Sequence, residues 1–140
     1  MPDHTGGCLC GAVTFVVTGS PVVVAQCHCT ACRRLSGTGH TVGAMVRAVD
    51  VTINGALCTF EYVSDVGSQV TRAFCPQCGS PIYGQNSRAP EHLTLPLGAL
   101  NDAADLFVEV VIFARDRPHW DALGSDVTTF DAQPDWTPDP

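Results

Sequence analysis

The sequence predicts a mainly β fold, and three observations carry that reading. The 140 residues include 13 Gly and 10 Pro, are 45% apolar and only 15% charged. That balance suits a turn-rich folded domain better than a disordered or coiled-coil chain. Short runs rich in Val, Thr, Ile and Phe alternate with Gly, Pro and Asn punctuation. Helix signals gather at one place, directly after Cys27-His28-Cys29-Thr30-Ala31-Cys32. At this length the chain reads as one domain over residues 1–140, large enough to bury a core, with an acidic wrap from about residue 115.

Taken in order, residues 12–18 form a β-branched strand closed by Gly19-Ser20-Pro21, and 22–26 form a second strand that runs into the thiol loop. Thr30 is the expected N-cap of a short helix that begins at Ala31 and ends near Gly37. Strands follow at 40–46 and 51–53. Asn54-Gly55 is a hairpin signal, with 57–63 as the return strand. Residues 69–74, 81–84 and 92–97 continue the pattern, and Pro96 argues for an edge position for the last of these. A turn or single helical turn at 101–105 leads to a last strand at 107–113. The tail is acidic and proline-bearing, a surface wrap expected to fray at Pro138-Asp139-Pro140.

The chemistry lies in eight cysteines. Gly6-Gly7-Cys8-Leu9-Cys10-Gly11 offers two thiols in C-x-C spacing. In a regular strand these would point to opposite faces, but the flanking glycines let the backbone turn both toward one ion. In Cys75-Pro76-Gln77-Cys78-Gly79 a tight turn aims N–H groups at the first sulfur, and Gly79 can take the left-handed conformation that closes it. Cys8, Cys10, Cys75 and Cys78 together make a closed structural zinc site.

Cys27, Cys29 and Cys32 remain, and their spacing admits two readings. One is a second structural zinc completed by His28, Cys58 or another side chain. The other is an open three-thiolate zinc whose fourth place takes water or a substrate thiol. The positive end of the following helix would favour thiolate over thiol. Cys58, in an alternating run, reads as a small buried hydrophobe. His28, between two ligating thiols, would have difficulty reaching the same ion. Arg33 and Arg34 point to different helix faces. Either both are solvated charges, or one, Arg33, holds a substrate carboxylate. His40, His92 and His119 have no partner motif and read as structural or surface residues.

Net charge is −7, there is no Lys, and nine of the fourteen acids lie at or beyond Asp102. This argues against a nucleic-acid groove. A small anionic substrate must rely on local Arg. Met1-Pro2-Asp3-His4 lacks a basic region and no apolar run approaches the ~20 residues of a membrane span. The expected location is the cytosol, where metal explains so many cysteines better than disulfides do. No Gly-rich dinucleotide motif is present, so no nicotinamide or flavin is expected. A homodimer is compatible with the chain.

The set Gly7-Cys8-Leu9-Cys10-Gly11, Cys27-His28-Cys29-Thr30-Ala31-Cys32-Arg33-Arg34 and Phe74-Cys75-Pro76-Gln77-Cys78-Gly79-Ser80-Pro81 resembles the glutathione-dependent formaldehyde-activating enzyme family. That superfamily also contains centromere protein V. The resemblance runs from Gly6 to about Phe130, with a weaker match through Ile112-Phe113 and Trp120. It implies a β-tent fold of curved antiparallel sheets tied by a structural zinc on Cys8, Cys10, Cys75 and Cys78. It implies a catalytic zinc on Cys27, Cys29 and Cys32, and loosening of one of these thiols, Cys29, when glutathione binds. The implied activity is a zinc-dependent carbon–sulfur lyase that adds glutathione, or a similar thiol, to formaldehyde or another small aldehyde. The rival reading is a non-catalytic, zinc-stabilised thiol- or protein-binding module. The chain has Val111 where many relatives carry a His.

Overall fold

The computed structural model describes residues 3–122, 124 and 126–134. Among them, the elements run β1 (His4–Gly7), β2 (Thr14–Val17), β3 (Val23–Cys27), α1 (Thr30–Ser36), β4 (Thr41–Arg47), β5 (Val51–Asn54), β6 (Cys58–Val63), β7 (Gln69–Phe74), β8 (Pro81–Asn86), β9 (His92–Pro96) and β10 (Val110–Ile112). Short 3₁₀ turns occupy Ala48–Asp50, Leu97–Ala99 and Ala114–Asp116. The mainly β expectation holds, with one α-helix after the second cysteine cluster. The frayed end expected at 138–140 lies outside the described residues. No helix among the described residues is long and apolar enough to cross a membrane.

Two sheets form. The smaller has the order β1-β2-β5, and the larger β10-β3-β4-β9-β8-β7-β6. Period-two alternation decides which side chains meet between them. In β2, Phe15 and Val17 point inward while Thr14 and Val16 face out. In β9, Leu93 and Leu95 do the same. These pack with Val13, Val46, Cys75 and Ile82 into one core. Full burial of a side chain such as Phe15 or Ile82 stabilises the fold by about 1.5–3 kcal/mol each.

Several expectations are corrected. β1 was not anticipated; it is short and half glycine, yet it pairs with β2 from His4 opposite Val17 to Gly7 opposite Thr14. Asn54-Gly55 does not close a hairpin. β5 pairs with β2 and β6 pairs with β7, so this turn carries the chain from one sheet to the other. Pro96 is not on an edge strand: β9 lies between β4 and β8, and Pro96 is tolerated as its last residue, opposite Gly43. β10 is shorter than 107–113, and it runs parallel to β3, with Val110 opposite Ala25 and Ile112 opposite Cys27. A long connection reaches it, so no hairpin dictates its direction. Cys58 is exposed rather than buried, because β6 is the outermost strand of the large sheet.

Candidate metal centres

The turn from β1 to β2 carries Cys8 and Cys10, and the turn from β7 to β8 carries Cys75 and Cys78, so the two pairs come from different sheets. All four sulfurs lie within 4.8 Å of one another. Cys8 and Cys10 are 3.6 Å apart, and Cys10 and Cys75 are 3.8 Å apart. Zinc–sulfur bonds of about 2.3 Å in a tetrahedron place sulfurs about 3.8 Å apart, so the donor set fits zinc. Backbone amides support it: Val13 N donates to Cys8 Sγ at 3.2 Å and Gln77 N to Cys75 Sγ at 3.4 Å. Gly79 closes its turn at φ 77°, its N–H donating to the Cys75 carbonyl at 2.9 Å. A hydrogen bond with the Ser80 hydroxyl is the main cause that draws the Cys78 thiol down to about 5.

The second set forms where β3 meets α1. Cys27 ends the strand, Cys29 caps the helix and Cys32 lies in its first turn, and their sulfurs fall within 4.8 Å of one another. The expected N-cap, Thr30, is displaced by one residue: Cys29 Sγ accepts the Cys32 amide at 3.3 Å, and Gly37 ends the helix in the left-handed conformation at φ 72°. The three thiols are unlike. Cys32 is drawn down to about 5, chiefly by its hydrogen bond with the Cys27 thiol and against the effect of burial, with help from Thr41, Cys29 and the Arg72 charge. That same bond and burial push the Cys27 thiol up. Among the described residues no fourth Cys, His, Asp or Glu donor joins the set, so neither His28 nor Cys58 completes it.

His28 instead turns away into a third cluster. Its ring is buried, with Nδ1 2.9 Å from the Gly39 carbonyl and 3.1 Å from Asp121 Oδ2. His40 Nδ1 lies 2.8 Å from the same carboxylate oxygen, so His40 has a partner that its sequence context did not reveal. These three donors lie close enough to hold an ion. Yet His28 Nδ1 already donates to the Gly39 carbonyl and Nε2 meets Gln26 Nε2 at 3.1 Å, which makes the group a hydrogen-bonded clamp. Asp121 occupies the space a side chain at Gly39 would need.

Arg33 is half-buried, and its Nε is enclosed without a partner, while Arg34 is exposed. Sequence reasoning missed Arg72 on β7, whose Nη2 stands 3.9 Å from Cys32 Sγ and 3.4 Å from the Tyr62 hydroxyl. An open hollow of about 360 Å³ is lined by Ile112, Phe113, Ala114 and Arg115, beginning at the residue that pairs with Cys27. Val111 is half-exposed on β10.

The fold and its thiols define a mainly β protein whose two sheets meet at a four-sulfur set, with a separate three-sulfur set at the start of its helix. The family model for the glutathione-dependent formaldehyde-activating enzyme matches residues 3–116, and the chain belongs to that family. The matched region ends before Trp120 and Phe130, where the resemblance was expected to reach. A protein from Rhodobacter sphaeroides of known crystal structure has the same fold, with a TM-score of 0.60 at 24% identity, covering 76% of this chain and 98% of that one. A comparison with curated proteins gave no match.

Proposed function

We propose that this chain catalyses the addition of a thiol, glutathione or a close analogue, to formaldehyde or another small aldehyde, as a zinc-dependent enzyme of the carbon–sulfur lyase class. The observation that carries this reading is the three-sulfur set of Cys27, Cys29 and Cys32, which lacks a fourth protein donor among the described residues. Family membership supports glutathione and formaldehyde as the reactants. Three protein ligands are the arrangement that leaves zinc a place for chemistry. A zinc ion bound there would supply a Lewis acid that lowers the pKa of an incoming thiol.

In the reaction the thiol sulfur adds to the carbonyl carbon and forms the new C–S bond. The carbonyl π pair moves to oxygen, and oxygen takes the proton that the thiol gives up. The chain's part is to hold and orient. Cys27 is fixed between Thr41 of β4 and Ile112 of β10. Cys32 is buried under the contact with Arg72. Cys29 is half-exposed at the helix cap, so it is the sulfur free to yield to a substrate thiol. Arg33 is assigned to a substrate carboxylate, for which a guanidinium offers two parallel donors. We read the chain as one zinc-binding domain with an acidic wrap, working in a reducing compartment such as the cytosol, where eight free thiols stay reduced.

The test is calorimetric titration of glutathione into the zinc-loaded protein beside Cys29→Ser, followed by formaldehyde turnover. Saturable binding and turnover, both lost in a folded variant, are expected. Absence of heat with either protein overturns the reading in favour of a binding module for another thiol or a protein partner. An unfolded Cys29→Ser makes the three-sulfur set structural and overturns it equally.

A further inference from the structure

We infer that Arg72 is a positioning residue for the three-sulfur set: it supplies the positive charge that balances the Cys27–Cys29–Cys32 thiolates and fixes Cys32 within them. This inference rests on the reading that these three sulfurs hold a metal ion.

The argument begins with what Arg72 lacks. Its Nε is enclosed and has no hydrogen-bond partner, and no carboxylate among the described residues pairs with it. Arg72 is half-buried, and a guanidinium drawn partly out of water gains from a nearby counter-charge. The groups in reach are the Tyr62 hydroxyl at 3.4 Å and Cys32 Sγ at 3.9 Å. Three thiolates around a divalent ion carry one net negative charge, and a single guanidinium neutralises it.

The surrounding sheet is shaped to hold this side chain. In register, Arg72 lies between Phe60 of β6 and Gly84 of β8. Gly84 is buried, and a Cβ there would stand 2.8 Å from Arg72 Nη1 and 3.2 Å from its Cζ. The missing side chain is the space in which the guanidinium lies. Arg72 thus reaches from β7, next to the edge strand of the large sheet, to the first turn of α1. Its neighbour along β7, Ala73, marks a register shift into Phe74 just before Cys75, so one strand serves both sulfur sets.

The experiment compares zinc binding by the wild-type chain, Arg72→Met and Arg72→Lys through chelator competition, with thiolate-to-cobalt charge-transfer absorption of the Co²⁺-loaded proteins as a second readout. Arg72→Met is expected to bind the second ion about 10–100-fold more weakly, with the first ion unaffected. Its charge-transfer band should move to longer wavelength, because a thiolate freed from a nearby cation gives up its electrons more easily. Arg72→Lys should recover most of the affinity and most of the shift.

Equal affinity and an unmoved band in Arg72→Met overturn the inference while leaving the proposed function intact. Failure of Arg72→Lys to recover either quantity also overturns it, since charge would then not be what matters. If Arg72→Met does not fold, Arg72→Gln takes its place: equal second-ion affinity and an unmoved band in that folded, uncharged variant overturn the inference. A wild-type chain that takes up a single ion overturns the proposed function and this inference together.

Discussion

The buried ring of His28 meets the carboxylate of Asp121 at 3.1 Å, and this contact fastens the C-terminal segment to the loop between Cys27 and Cys29. The same oxygen serves His40, and Arg117 holds the Asp121 carbonyl through Nε at 3.1 Å and Nη2 at 2.8 Å. His28 N also donates to the Ile112 carbonyl at 3.2 Å. The loop that presents the three sulfurs is therefore held from both sides by residues far along the chain.

Asp121→Asn keeps the shape and removes the charge, whereas Asp121→Ala removes the clamp altogether. We expect amide exchange at His28 and in the first turn of α1 to quicken by roughly tenfold or more in Asp121→Ala, with a smaller change in Asp121→Asn. Hydrogen exchange read residue by residue checks this. Unchanged protection in both variants would show that the loop stands without the clamp.

Metal removal should act first on the four-sulfur set. The Cys8/Cys10 and Cys75/Cys78 pairs lie in different sheets, so an ion there joins halves of the core, and its binding energy, of the order of 10 kcal/mol, becomes folding energy. Cys75→Ser should leave the chain unfolded or aggregated, and a strong chelator should unfold the wild type in one cooperative step by circular dichroism. A soluble, native-like Cys75→Ser protein contradicts this.

Phe15 is almost wholly enclosed between the sheets. Phe15→Ala leaves a cavity in that layer and should lower stability by about 3–5 kcal/mol in denaturant titrations. A loss below 1 kcal/mol would mean that the sheets collapse onto the gap.

The Arg47–Asp50 pair spans the 3₁₀ turn that carries the chain from β4 in the large sheet to β5 in the small one, with two hydrogen bonds of 3.0 Å. Arg47 holds the Asp50 carboxyl below its ordinary value of 3.8, against the opposing effect of burial. A carboxylate with a lowered folded-state pKa stabilises fully above its unfolded value and loses that contribution as pH falls through the folded one. The stability advantage of wild type over Asp50→Asn should therefore hold steady at neutral pH and vanish on acidification below about 4. An advantage that grows with acid would reverse the sign and refute the assignment. High salt should also shrink it, since Arg47 is exposed.

Much of the site was legible because its signals are local. C-x-C, C-x-x-C and C-P-x-C-G place sulfurs within one turn of each other whatever the rest of the chain does, and the pattern of 69–74 matched β7 residue for residue. The cap shifted from Thr30 to Cys29 because a thiol at that position accepts the Cys32 amide itself. What stayed hidden depends on partners distant in sequence. Asn54-Gly55 looks like a hairpin until β5 finds β2, and Cys58 looks buried until β6 proves to be an edge. Asp121 and Arg72 carry no motif, since each gains its meaning from a sulfur loop that approaches from elsewhere in the fold.

The parallel pairing of β10 with β3 has a consequence for how the molecule matures. A nascent chain emerges N-terminus first. Cys27, Cys29 and Cys32 leave the ribosome early, and Cys78 completes the four-sulfur set while Ile112 and Asp121 are still unmade. The strand and the clamp that shelter the three-sulfur loop arrive near the end of synthesis. The thiols proposed for chemistry are thus among the first to be born and the last to be enclosed. Through that interval the fold does not yet shield them from oxidation.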